Sequence, residues 1–107
     1  MRATAIRARP VRLRLYVAGH TQNSALASAN LTAICEAHAA GRHHIEVVDV
    51  LLEPKRALAD GVLMTPMLVK LGPGPVTKIV GTLSQTRNVI QVLGLAPQPQ
   101  VPRIDST

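Results

Sequence analysis

Four histidines, one cysteine and two closely spaced carboxylates are the residues of this sequence with the means for chemistry, and their spacing limits what that chemistry can be. His43 and His44 are adjacent, so on a strand they point to opposite faces and cannot easily share an ion. His38 precedes them near a helix end, and no Cys, Asp or Glu completes a ligand set at metal-binding spacing. No metal is therefore expected. His20 lies in a polar turn between a strand and a helix, where α/β folds often place ligands, although capping the helix is the plainer role for that turn. Cys35 is the only cysteine, which excludes an intrachain disulfide and a Cys-based zinc site. It falls mid-helix beside Ile34, the place of a buried inert thiol, and a catalytic thiol would need an activating neighbour. Glu46 and Asp49 are three apart on a strand, hence on opposite faces, and do not form an acid–base pair. The glycines are scattered singly, with no Walker-type loop and no dinucleotide fingerprint. The expectation is a protein without catalytic residues and without cofactors.

The elements that position these residues are legible in the first two thirds of the chain. Val11 to Ala18 alternates Arg12 and Arg14 against Val11, Leu13 and Leu15, a strand half exposed at its start and buried toward its end. Asn23 or Ser24 can cap a following helix, whose apolar face is read as Leu26, Ala29, Ala33, Ile34 and Ala37, with Gly41 as its stop. Ile45 to Val50 is β-branched and makes a second strand, completing a βαβ unit. Pro54 opens a short helix running to about Asp60, and Gly61 ends it. Thr65-Pro66 leads into a strand at Met67 to Leu71, and Gly72-Pro73-Gly74-Pro75 is a turn. Beyond it the pattern divides. Val76, Ile79, Val80 and Leu83 have helical spacing, yet Val-Thr-Lys-Ile-Val is also β-branched. Asn88 to Leu93 reads equally as a helix behind a cap at Ser84 or as a strand.

Length and composition set the outer limits. The chain has 107 residues, 47% of them hydrophobic, with Tyr16 as the only aromatic. That suits one domain with an aliphatic core, expected at 11–95 between a flexible basic extension at 1–10 and a flexible Pro-rich tail at 96–107. One ring cannot build the stacking surface that single-stranded nucleic-acid binders use. The formal charge of +6 is concentrated at one end: Arg2, Arg7, Arg9, Arg12 and Arg14 come first, and residues 15–107 carry seven basic and six acidic residues. Arg12 and Arg14 read as the solvated edge of the first strand. No apolar run approaches the roughly 18 to 20 residues of a membrane span. No nucleic acid, no membrane and a cytoplasmic location are expected.

The order of elements, with Thr65-Pro66 before a strand, resembles the thioredoxin layout. Thioredoxins carry a redox Cys-x-x-Cys at the turn after the first strand, facing a cis-proline. Here that turn is Thr21-Gln22-Asn23-Ser24, so the resemblance keeps Thr65 and Pro66 at the cis-proline position and loses the thiol exchange chemistry. A more extensive resemblance is to the KaiB family of small bacterial clock proteins. It is carried by Leu15-Tyr16-Val17-Ala18-Gly19, Thr21 and Asn23-Ser24; by Asp49-Val50-Leu51 with Pro54; and by Thr65-Pro66, Leu68, Lys70, Pro73, Pro75, Val76, Gly81, Leu83 and Ser84. These span residues 13–95 in order.

Membership in that family implies a thioredoxin-like βαβαββα domain that can exchange with a βαββααβ ground state, the two sharing their first half. The segments exchanged are those that read both ways above. It implies a non-enzymatic regulator that binds a KaiC-like hexameric ATPase, with a histidine kinase of the same pathway as a second partner and a dimer or tetramer in the ground state. The implied contact residues are Leu51, Glu53, Pro54, Arg56 and Asp60. The sequence also departs from the clock pattern: Val92 and Gly94 replace a Gly-x-Asp, Pro73-Gly74-Pro75 replaces three prolines, Gly61 stands where a basic residue is common, and the acidic tail is missing. These departures point to a homologue outside the clock, resting in the thioredoxin-like state. Two rival readings remain: a monothiol oxidoreductase using Cys35, and a sensor-type domain of a histidine kinase.

Overall fold

The computed structural model describes residues 9–95. Its elements are β1 (Val11–Val17), α1 (Gln22–His38), β2 (His43–Asp49), α2 (Pro54–Ala59), β3 (Met67–Gly72), β4 (Thr77–Val80) and α3 (Thr86–Leu93). The order βαβαββα is the thioredoxin-like one. In the ambiguous region the chain takes a strand over 77–80 and a helix over 86–93. The expected extension and tail lie outside the described residues, apart from Arg9 and Pro10.

The four strands form one sheet in the order β2-β1-β3-β4. β1 and β2 are parallel from Val11↔His43 to Val17↔Asp49, which is what a helical crossover through α1 produces. β3 runs antiparallel to β1, and β4 antiparallel to β3. β1 is therefore an interior strand, and Arg14 does not lie on a solvated edge: it is half-buried beside β2.

The alternation along β1 divides the sheet into two faces. Val11, Leu13, Leu15 and Val17 meet Ala27, Leu31, Ile34, Cys35, Leu68, Val89 and Leu93 in the main core, under α1 and α3. Each buried Leu or Ile there contributes roughly 1.5–3 kcal/mol. The opposite face holds a smaller cluster of Tyr16, Val48, Ala57, Met67 and Val69 under α2.

Three local details differ from the sequence reading. The cap of α1 is Thr21, whose side chain accepts from the Ser24 amide, rather than Asn23 or Ser24. The Ser24 hydroxyl instead binds the Ala18 amide at 3.1 Å and tightens the turn. The buried face of α1 is Ala27, Leu31, Ile34 and Cys35, leaving Leu26, Ala29, Ala33 and Ala37 outside. Alanines surround this helix, so several rows have apolar spacing, and the row with larger side chains removes more apolar surface from water. Helix α3 starts at Thr86 after Gln85, and the Ser84 hydroxyl accepts from Thr82 Oγ1. Its other end is closed by Gly94, which takes the left-handed conformation at φ 71° that glycine adopts without penalty.

Candidate functional site

The face covered by α2 combines charge with exposed apolar surface, and the sequence builds it in steps. After β2, the Asp49 Oδ1 accepts from the amides of Gly19 (3.1 Å) and Leu51 (2.9 Å), fixing the chain as it leaves the sheet. Pro54 then starts α2 at its first turn, where its missing N–H costs nothing. Six helical residues bury only Ala57, and Asp60 follows as the C-terminal cap. This is too short a helix to be stable alone. Tertiary contacts have to hold it.

Those contacts form a chain of charge. Arg14 on β1 donates from Nε to Glu46 Oε1 of β2 at 2.9 Å and from Nη1 to Asp60 Oδ2 at 3.0 Å. Arg56 on α2 pairs with Glu46 Oε2 at 2.8 Å and with Glu53 at 3.3 Å. The Tyr16 hydroxyl donates to the Asp60 carboxylate, and it also lies 3.2 Å from the Arg56 carbonyl, while Lys78 of β4 donates to the Asp60 carbonyl at 2.7 Å. Three strands and the helix are thereby tied together. The electrostatics agree with the geometry. The Tyr16 hydrogen bond, ahead of Arg14, holds the Asp60 carboxyl below the usual carboxylate range. Arg14, with Arg56 behind it, does the same for Glu46. Burial, helped by Asp60, raises the Tyr16 phenol.

Outside this network the surface is apolar. Leu51, Leu52, Leu58, Leu63 and Met64, in α2 and the loops on either side of it, are 63–91% exposed. Scattered exposed leucines need no explanation, but five large side chains within fourteen residues do. The structure places the five expected contact residues in two roles. Leu51 and Pro54 stand on the exposed side, Glu53 is exposed there and pairs with Arg56 at the outer end of the ion-pair chain, and Arg56 and Asp60 link that chain to Glu46 and Arg14. Leu52, Leu58, Leu63 and Met64 were not singled out by sequence reading. Their signal, apolar residues around a helix too short to bury them, becomes visible once α2 is known to end at Ala59. The Thr65–Pro66 bond is cis, directly before β3.

The remaining candidate groups lie apart from this face. Cys35, on the sheet-facing side of α1, is fully buried, and burial, followed by Glu36, pushes its thiol up to about 11. Such a thiol is a poor source of thiolate at neutral pH. His43 Nδ1 sits 2.8 Å from the Ala39 carbonyl. His20 and Asp49 both line an open cleft of about 370 Å³ between β1, β2 and the start of α1. Among the described residues no group of three His, Cys, Asp or Glu side chains could hold a metal ion, and no helix is long and apolar enough to cross a membrane.

Comparison with known proteins fits this architecture. A family model described as KaiB domain matches residues 14–95. The chain belongs to the KaiB family. It is 36% identical over 86 residues to the circadian clock protein KaiB3 of Synechocystis, covering 80% of this chain and 84% of that one. It is 45% identical over 83 residues to the circadian clock oscillator protein KaiB of Acaryochloris marina, covering 78% and 80%. Among solved structures it is similar to the N-terminal domain of Synechococcus elongatus SasA, with TM-score 0.64, 24% identity and coverage of 89% and 91%. It is also similar to mitochondrial thioredoxin 3 of Saccharomyces cerevisiae, with TM-score 0.65, 18% identity and coverage of 84% and 82%. These likenesses show a thioredoxin-like fold. Where thioredoxins place their paired cysteines, this KaiB-family chain has Thr21 to Ser24, a capped helix start.

Proposed function

We propose that this KaiB-family protein is a non-enzymatic regulator that docks through the α2 face on a KaiC-like hexameric ATPase and alters its phosphorylation or ATPase cycle. The observation that carries this reading is the exposed apolar set Leu51, Leu52, Leu58, Leu63 and Met64 around a helix secured from beneath by Arg14, Glu46 and Asp60. A surface of this kind gains by being covered, and charged residues at its margin set the register of the partner. Leu51, Glu53 and Pro54 are direct contacts in this reading. Arg56 and Asp60 act by holding the helix in place, with Thr65 and Pro66 fixing the entry to β3. A histidine kinase carrying a domain of the same layout is the second partner. The buried Cys35 supports a role without thiol chemistry.

The test is capture of the KaiC homologue of the source organism, in ATP and in ADP, by the full chain and by Leu58→Ser. Retention by the parent protein with at least a tenfold loss in the variant is the expected result. Absence of capture in both nucleotides, or capture indifferent to Leu58→Ser, overturns the reading.

A further inference from the structure

At the start of β1, away from α2, a second cleft gathers positive charge. Arg12 is the second residue of the strand and is exposed; its register partners are His44 on β2 and Gly72 on β3. Because Gly72 has no side chain, and a Cβ there would meet nothing within 4 Å, the space beside Arg12 stays open. Arg9 and Pro10 form one wall and the Gly72–Pro73–Gly74 turn the other, around about 270 Å³. Lys70 lies on the other face of the sheet: it pairs with the core-facing Leu13, and its Nζ lies 3.7 Å from where a Cβ on Gly94, at the end of α3, would stand.

Neither Arg9 nor Arg12 has an ion-pair partner among the described residues. The acids among the described residues are engaged or placed elsewhere: Glu46, Glu53 and Asp60 in the α2 network, Asp49 on the Gly19 and Leu51 amides, and Glu36 on α1. Like charges converging without a counter-charge repel one another, and an incoming anion relieves that repulsion. Two guanidinium forks are donors that tetrahedral oxyanions pair with well, in bidentate fashion. The sequence has no aromatic near this cleft, Tyr16 lying at the other end of β1, so nothing is present to stack on a base.

We infer that the cleft formed by Arg9, Arg12 and the Gly72–Gly74 turn is a binding site for a phosphate or diphosphate group, recognised by its charge and not by any attached base. Being open to solvent, the site weakens with salt, since charges more than about 8 Å apart are screened at physiological ionic strength.

The test is a titration of the isotope-labelled full chain with inorganic pyrophosphate at low ionic strength, followed by the backbone amide shifts and repeated with sodium chloride of matched ionic strength. Saturable shifts are expected at Arg12, Leu71, Gly72 and Gly74. Arg12→Gln and, separately, Arg9→Gln each weaken binding by about tenfold, in line with a lost charge-assisted contact, and Arg87→Gln on α3 leaves it unchanged. A parallel titration with phosphatidylglycerol vesicles, against phosphatidylcholine, separates the sources: saturation by pyrophosphate assigns a soluble phosphate, and saturation by anionic vesicles alone assigns a lipid headgroup. Shifts that fail to saturate with either probe, that spread evenly over the surface cations, or that persist in both Arg12→Gln and Arg9→Gln overturn the proposal.

Discussion

The two faces of the sheet are closed by different physics. Under α1 and α3, Leu13, Leu15, Leu31, Ile34, Leu68, Val89 and Leu93 are each no more than 3% exposed, and the closure is aliphatic packing. Under α2, a small cluster around Tyr16 is rimmed by Asp60, Arg14, Glu46, Arg56 and Glu53 in successive contact. Apolar packing gives stability without exposing anything for a partner to bind. The charged rim holds a short helix in place while its apolar side chains stay in solvent. The first face resembles a domain core, and the second resembles half of an interface. One sheet thus separates the work of staying folded from the work of being recognised.

The largest effect belongs to the sealed face. Leu68→Ala removes a fully buried side chain from the middle of the main core, and a loss of about 3 kcal/mol in unfolding free energy is expected by denaturant titration. The α2 face is expected to yield less to a comparable intervention. Tyr16→Phe keeps the buried ring and deletes the hydroxyl that binds Asp60, at a cost of about 1.5 kcal/mol. A larger loss from Tyr16→Phe than from Leu68→Ala would break the division between the faces.

The same network makes a pH signature. Asp60 and Glu46 have carboxyl groups held below their ordinary values in the folded chain, Asp60 chiefly by Tyr16 and Glu46 chiefly by Arg14. The unfolded chain therefore binds protons more readily. Their stabilisation is complete above the unfolded values near pH 4 and is lost as pH falls through the lower folded values. Unfolding free energy is expected to be level between pH 7 and 5 and to decline below about pH 4. In Tyr16→Phe the decline is shallower, because Asp60 loses the hydrogen bond that lowers it most. An identical acid limb in parent and variant would detach Asp60 from Tyr16.

What could be read from sequence follows the same division. β1, β2 and β3 announce themselves through alternation and β-branching, and Pro54 with Gly61 brackets α2 to within a residue or two. Of the apolar face expected on α1 only Ile34 is buried, because Ala25, Ala29, Ala33 and Ala37 give rows of apolar spacing that only the position of the larger Leu31 and Ile34 against the sheet resolves. Residues 76–93 read both as strand and as helix from local pattern. Pairing of Met67–Lys70 with Thr77–Val80 selects the strand, and burial of Val89 and Leu93 against the main core selects the helix. The ion-pair chain was invisible for another reason. Glu46 and Asp60 are 32 and 46 residues from Arg14 in sequence; the parallel register of β1 with β2 brings Glu46 to it, and the path of α2 across the sheet brings Asp60. Leu51, Glu53 and Pro54 could be named from a resemblance, but which members of that segment face solvent depends on how α2 lies on the sheet.

The smallest expected effect is the one that tests the α2 face most directly. Leu63 is 91% exposed in the loop between α2 and β3, so replacing it by serine removes little apolar contact from the folded chain. Surface changes of this kind usually stay within about 0.5 kcal/mol, and Leu63→Ser is expected to leave the denaturation midpoint and slope where they were. An exposed leucine that serves only the fold has no reason to be leucine at all, whereas one that is covered on docking loses roughly 1.5–3 kcal/mol of burial when it is shortened to a polar residue. The informative result is therefore a pair: unchanged unfolding together with weakened capture of the KaiC homologue. A substantial fall in stability would place Leu63 in the packing of its own domain and enlarge the core at the expense of the interface. Unchanged stability with unchanged capture would remove this loop from the contact and confine docking to Leu58 in α2 and to Leu51 and Leu52 in the loop before it.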